Sequence, residues 1–346
     1  MKKPAFLFIL LAISFISLSQ SKLDILHYRF QIAVTDQSDS IYGVAFIQFK
    51  LLENSAAMDF DFTARHGKGM QIIKLQFSNS KSGKVNYTHA KEKLSIRNAI
   101  YKKNDTATVI IHYKGIPSGG FIIARNKFGQ RTFFADNWPN RAHHWLPCND
   151  DPSDKAPVEF LVTAPDHYRV VSNGMQLEET ILNNGYKLTH WREEIPIATK
   201  VLALGIADFA VEITGYANST IPVYSWAFPA DAEKAVHDFS LTKEILEYYI
   251  RTIGPYGYKK LANVQSKTMF GGLENANAIS YSENRIHGDG SNEALLAHEV
   301  AHQWFGNMAT EKSFGHLWLS EGFATYFTIL YLENKYGKDT LSLIHI

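Results

Sequence analysis

The segment His298-Glu299-Val300-Ala301-His302 holds the residues of this chain best placed to do chemistry. Side chains four apart on a helix lie one above the other, so both imidazoles face the same way and can grip one divalent ion. Glu299 stands between them, close to such an ion without having to ligate it. Glu321 follows after eighteen intervening residues and can return on a second helix as a third ligand. Three protein ligands leave the fourth tetrahedral position of a zinc ion open to water, as catalytic rather than structural zinc requires. The His-Glu-x-x-His spacing is a recognised signature of zinc-assisted peptide hydrolysis.

A surface helix could carry this pattern by chance, but its flanks would then be polar. Instead, Glu293 to Phe305 is apolar along the face that a buried metal helix needs, and Trp318 to Ala324 has the same character around Glu321.

Ala297 to Asn307 (AHEVAHQWFGN) together with Trp318 to Phe327 (WLSEGFATYF) resembles the zinc core of the M1 aminopeptidases. These are the gluzincins that include aminopeptidase N and leukotriene A4 hydrolase. Gly271-Gly272-Leu273-Glu274-Asn275, followed by Tyr281-Ser282-Glu283, is similar to the family's Gly-x-Met-Glu-Asn motif and its Tyr-x-Glu. Leu273 in place of methionine conserves volume. Trp145 to Ser153 resembles the family's Pro-Cys-x-Asp-x-Pro-Ser stretch, and Ala198 to Ala203 with Asp208-Phe209 is a weaker match. The resemblance runs in order from about residue 25 to about 340.

It implies a zinc metallo-aminopeptidase holding one Zn2+ through His298, His302 and Glu321, with Glu299 as general base. Glu274 would anchor the free amine of a peptide substrate, which a carboxylate does through a charge-assisted hydrogen bond. Gly271, Gly272 and Asn275 would line the substrate's path, glycines allowing a peptide to approach an edge strand closely. Rival readings are a thermolysin-type endopeptidase, which has no use for an amine anchor, and a non-catalytic M1-like scaffold. The family usually places an oxyanion-stabilising tyrosine well beyond the third ligand. This chain ends twenty-five residues after Glu321 and has Thr328 where many members carry a carboxylate. Asp136-Asn137-Trp138 stands where others line the first subsite. The expectation is a C-terminally truncated chain, poorly soluble and essentially inactive as it stands. Leu341 to Ile346 can be encoded by a sequence resembling a transposon end and is read as a non-native tail.

The positioning elements fall into two parts. From Asp24 to about Phe209 the pattern is β: Tyr28, Phe30, Ile32 and Val34 alternate with Arg29, Gln31 and Ala33. Val44 to Leu51 and Thr108 to Tyr113 read as further strands, with turns expected at Ser82-Gly83, Lys114-Gly115 and Asn173-Gly174. Beyond residue 215 helical spacing takes over, predicting one amphipathic helix over Asp231 to Thr252. Val264 to Thr268 reads as a strand, Met269 to Ser282 as an edge strand with a turn, Asn292 to Thr310 as the zinc helix and Ser320 to Lys335 as the third-ligand helix. The fold class is α+β, with an N-terminal β domain over 20–215. The resemblance implies that this domain is saddle-shaped and that 216–340 is the first part of a thermolysin-like catalytic domain.

Apolar residues at 45% and charged residues at 20% describe an ordinary globular chain, and a net charge of +1 argues against capture of nucleic acid or anionic membrane. Lys2-Lys3, the apolar run Phe6 to Phe15 and small Ser17 and Ser19 read as a Sec signal peptide over 1–19. That run is too short for a stable membrane anchor, so a periplasmic or extracellular protein is expected. Cys148 is the sole cysteine, read as a buried packing residue.

Overall fold

The computed structural model describes residues 22–78, 85–97 and 100–338. The expected signal segment 1–19, the Ser82-Gly83 turn and the 341–346 tail lie outside them. The N-terminal part is built from strands. In chain order they are β1 (Leu23–Ala33), β2 (Ile41–Leu51), β3 (Ala57–Asp61), β4 (Gly69–Phe77), β5 (Tyr87–Ala90), β6 (Lys93–Arg97) and β7 (Thr106–Ile116). There follow β8 (Phe121–Arg125), β9 (Arg131–Ala135), β10 (Lys155–Pro165), β11 (Arg169–Ser172), β12 (Met175–Ile181), β13 (Tyr186–Ala198) and β14 (Leu204–Ala207). A seven-stranded sheet has the order β12-β13-β10-β1-β2-β7-β4; a four-stranded sheet runs β11-β14-β9-β8 and a three-stranded one β3-β6-β5.

The period-2 alternation seen in the sequence sets which face is buried. Tyr28, Phe30, Ile32 and Val34 are all buried, and the Phe30 ring packs on Phe160 of the parallel neighbour β10 at 5.4 Å. Cys148 is fully buried in the same core. Asn173-Gly174 forms the expected bend, with Gly174 at φ +74°. Lys114-Gly115 does not form a turn: both residues lie inside β7. Gly115 is needed there because a Cβ would come within 2.1 Å of the Gly69 carbonyl oxygen, so that glycine marks a close strand approach.

The second part has one five-stranded sheet of β15 (Ala210–Ala217), β16 (Ile221–Ala227), β17 (Leu261–Ser266), β18 (Gly272–Leu273) and β19 (Ala278–Ser282), ordered β15-β16-β17-β19-β18. Residue 215, where the sequence changes character, lies within β15. Against the sheet pack α1 (Ala232–Phe239), α2 (Thr242–Thr252) and α3 (Glu293–Ala301), and α4 (Leu317–Tyr336) packs on α3. The single helix expected over Asp231 to Thr252 is therefore two. Ser240 ends the first by turning its hydroxyl onto the His237 carbonyl, a local bond that competes with helix continuation. Asp238 holds the break in place by accepting from the backbone amides of His287, Gly288 and Gly290.

The zinc helix is shorter than expected, α3 ending at Ala301 with His302 as its cap. Beyond it the amides of Asn307, Met308 and Ala309 reach back five residues, to the carbonyls of His302, Gln303 and Trp304. Gly306, at φ +123°, reverses the chain there. The helix is buried among Ile245, Leu246 and Tyr249 of α2 and Ala324 and Tyr331 of α4. The Tyr249 hydroxyl donates to the Ala297 carbonyl at 3.0 Å.

Candidate metal centre and active site

α3 and α4 pack side by side, and this alone brings the three expected ligands together. His298 Nε2 lies 3.1 Å from His302 Nε2 and 3.3 Å from Glu321 Oε2, and His302 Nε2 lies 3.6 Å from the same oxygen. Donor atoms of all three are within 4.8 Å of one another. His302 is buried and its Nδ1 is bonded to the Phe305 carbonyl at 3.0 Å. A carbonyl only accepts, so Nδ1 carries the proton and the Nε2 lone pair is left for an ion. Two imidazole nitrogens and a carboxylate converging on one point fit a zinc ion. Gly306 permits the approach of the two helices, since a Cβ there would press on His302 Nδ1 and Ser320 Cβ at 3.3 Å.

Glu299 is buried, facing β18. Its Oε1 would be 2.2 Å from a Cβ on Gly272, so the carboxylate rests directly on that strand's backbone. Burial pushes the Glu299 carboxyl up to about 8; positive charge on His302 opposes this, and Glu274 and Glu321 add to it. His302 is raised to about 9, because the hydrogen bond to Glu321 and the surrounding carboxylates outweigh its burial. Glu321 is held well below the usual carboxylate range: burial is outweighed by its bonds to His298 and His302. Positive charge at the ligand cluster is thus what the surrounding carboxylates stabilise.

A cavity of about 200 Å³ is lined by Trp138, Phe270, Gly272, Leu273, Glu274, Glu299 and the three ligands. Glu274 therefore shares the cleft with the metal cluster, buried, with Oε1 lacking a hydrogen-bond partner. Gly271 and Asn275 are not among the lining residues. The Gly271 carbonyl is taken by the Ser282 amide, and the Asn275 side chain turns to the Ser280 hydroxyl at 3.3 Å. Asp136 is ion-paired with Arg141 and accepts from Thr268, which leaves Trp138 as the member of that trio facing the cleft. A larger hollow of about 890 Å³, between Asp59, Asp61 and Ser313 to Gly315, contains none of the ligand set.

Several residues around Glu274 escape a reading by motif. Asn307 donates to the Glu274 carbonyl at 2.7 Å, and Gln303 accepts from the Asn277 amide at 2.8 Å. Lys200, fully buried, is 2.6 Å from Glu311 and 4.0 Å from Glu274. Gln303 was findable as the residue one turn beyond Glu299. Lys200 was findable as a charge inside an apolar run, which requires a partner when buried.

Two imidazoles one helical turn apart, a carboxylate from the next helix and a buried glutamate between them make up a donor set that could hold a catalytic zinc ion. The comparisons agree. The Peptidase M1 N-terminal domain matches residues 25–201 and the Peptidase family M1 domain matches residues 237–344. The chain belongs to peptidase family M1. Among its relatives, glutamyl aminopeptidase of Bitis rhinoceros is 30% identical over 246 residues, covering 66% of this chain and 26% of the relative. Probable aminopeptidase 1 of Sulfurisphaera tokodaii is 29% identical over 265 residues, 73% of this chain and 31% of the relative. The chain thus spans about a quarter to a third of the length of these relatives. A two-domain M1 zinc metallopeptidase solved with L-tryptophan superposes with a TM-score of 0.79 at 22% identity, covering 94% of this chain and 74% of the other. An M1 zinc metallopeptidase from Deinococcus radiodurans gives 0.75 at 23%, covering 93% and 73%. These two likenesses speak to the fold.

Proposed function

We propose that this protein is a zinc aminopeptidase that removes the N-terminal residue from peptides carrying a free amine. The observation that carries the reading is the single cleft shared by Glu274, Glu299 and the His298–His302–Glu321 cluster. One zinc ion held by the cluster supplies a polarised water and a Lewis acid for the scissile carbonyl. Glu299 Oε1, resting on Gly272, accepts a proton from the attacking water and returns it to the departing amine nitrogen. Glu274 binds the substrate's ammonium, fixing the first peptide bond and no later one beside Glu299. Trp138 and Phe270, packed edge to face at 5.4 Å, form the apolar wall for the first side chain. Gly272, on the edge strand β18, offers the substrate a backbone with little side-chain bulk.

Export through a Sec signal peptide to the periplasm or beyond is part of the same proposal, resting on Lys2-Lys3 and the apolar run after them. Among the described residues no helix is long and apolar enough to cross a membrane.

The test of the amine anchor is Glu274→Ala in the complete gene product, assayed on matched free and N-acetylated peptides. Preference for the free amine should collapse while zinc content stays unchanged. An unaltered preference places the anchor elsewhere.

A further inference from the structure

Among the described residues one other group has the composition of a metal site, and it lies in the N-terminal β part. Glu92 sits in the turn between β5 and β6, and His143 and His144 form the short turn Ala142–His144 before β10. Their donor atoms lie within 4.8 Å of one another. Two consecutive amides hold both segments: Phe62 donates to the Glu92 carbonyl and Thr63 to the His143 carbonyl, each at 2.9 Å. The cluster is therefore fixed by backbone rather than by the long side chains themselves.

Each imidazole has one nitrogen committed to the protein. His143 Nδ1 donates to the buried Asp150 carboxylate at 2.6 Å, the carboxylate–histidine arrangement that orients metal-binding imidazoles. Its Nε2 faces Glu92 Oε2 at 3.9 Å, too long for a hydrogen bond and near the separation of about 3.4 Å expected for two donors on one zinc. His144 Nδ1 is bonded to the hydroxyls of Thr63 at 2.9 Å and Ser118 at 3.2 Å, leaving Nε2 uncommitted. Gly119 keeps the His144 ring face clear, since a Cβ there would lie 3.1 Å from His144 Cδ2. Glu92 is exposed, which gives an ion an entry path.

We propose that Glu92, His143 and His144 form a second divalent-metal site, taking a zinc-class ion and sharing no residue with the lining of the catalytic cleft. Two imidazoles select zinc and its first-row neighbours over calcium or magnesium, which take oxygen ligands. A bound ion would tie the β5–β6 turn to the segment leading into β10. Asp150, which also accepts from Thr199 at 2.5 Å, carries that tie into the core.

The experiment counts zinc on metal-stripped protein re-equilibrated with Zn2+ and desalted. Wild type should retain about two equivalents, while Glu92→Gln and His144→Gln should each retain about one, with affinity at the second site weakened at least about tenfold. Glu92 is a surface residue, so its variant keeps the fold. His302→Ala should also retain about one equivalent, removed by adding Glu92→Gln. In the His302→Ala protein Zn2+ should raise Tm, and adding Glu92→Gln should abolish that rise. Zinc content unchanged by both Glu92→Gln and His144→Gln, or an equal Tm rise with and without Glu92, overturns the proposal. Loss of the ion sensitive to His302 alone would instead count against the catalytic reading.

Discussion

Glu299 and Gly272 form one working unit. The carboxylate is positioned by contact with a backbone that has no side chain in the way, so the strand rather than a hydrogen bond sets its reach. Glu299→Gln keeps the shape and removes the proposed base. It should retain zinc while catalysis falls on the order of a hundred-fold or more, seen by metal analysis beside kcat. Parallel loss of metal would make Glu299 a structural residue. Gly272→Ala tests the contact itself: a methyl 2.2 Å from Oε1 must displace one or the other. A displacement on the ångström scale costs about a hundred-fold in rate, with zinc again retained. Wild-type kcat in that variant would mean that the base is positioned by something other than β18.

At the scale of elements, the site depends on how firmly α4 is held to α3. Glu293, in the first turn of α3, receives Tyr331 at 2.6 Å, Lys335 at 2.6 Å and Tyr336 at 2.5 Å, all from the last turns of α4. These bonds outweigh burial and hold the Glu293 carboxyl below its ordinary value. A carboxyl lowered in the folded state stabilises fully above its unfolded pKa of about 4.3, and that contribution is lost as pH falls through the lowered folded value. Glu293→Gln should therefore cost about 1–3 kcal/mol at pH 7, with the gap to wild type closing below about pH 4. Urea titrations across that range measure it. A gap independent of pH would show that shape rather than charge makes the clamp.

For the whole molecule, the loop Glu274 to Asn277 joins the two parts. Asn173 of the β part donates to the carbonyls of Val201 and Ala276, at 3.1 and 2.7 Å. Lys260 bonds the carbonyls of Ser172 and Asn277, and the Gly174 amide donates to the Asn277 side chain at 2.8 Å. The loop that carries Glu274, the proposed amine anchor, is thus held from both sides, by Asn307 after α3 and by the β part. Cys148 reports on the integrity of this arrangement. Burial, with Asp150 and Asp61 nearby, raises its thiol well above the ordinary value. Native protein should react with a thiol reagent at least about a hundred-fold more slowly than the urea-unfolded chain. Fast labelling under native conditions would mean that the β core opens locally.

The amino-acid sequence by itself determined the pairing of His298 with His302, the glutamate between them and the β-then-α order, because each is written in local spacing; that Glu321 meets the two histidines was decided by the packing of α4 on α3. His298 and His302 meet through a helical repeat, and Tyr28 to Val34 choose a face through a strand repeat. Spacing failed where a distant group decided the outcome. Lys114-Gly115 looks like a turn until the Gly69 carbonyl is placed against it. Asp231 to Thr252 looks like one helix until the Asp238 carboxylate collects three amides from the 287–290 loop. The same holds for the Glu274 surroundings: Lys200 and Glu311 lie far apart in the chain, and only the packing of the β part on the loop after α3 makes them a pair. Buried charges and close backbone approaches are settled by which surfaces meet, and that information exists only in the folded molecule.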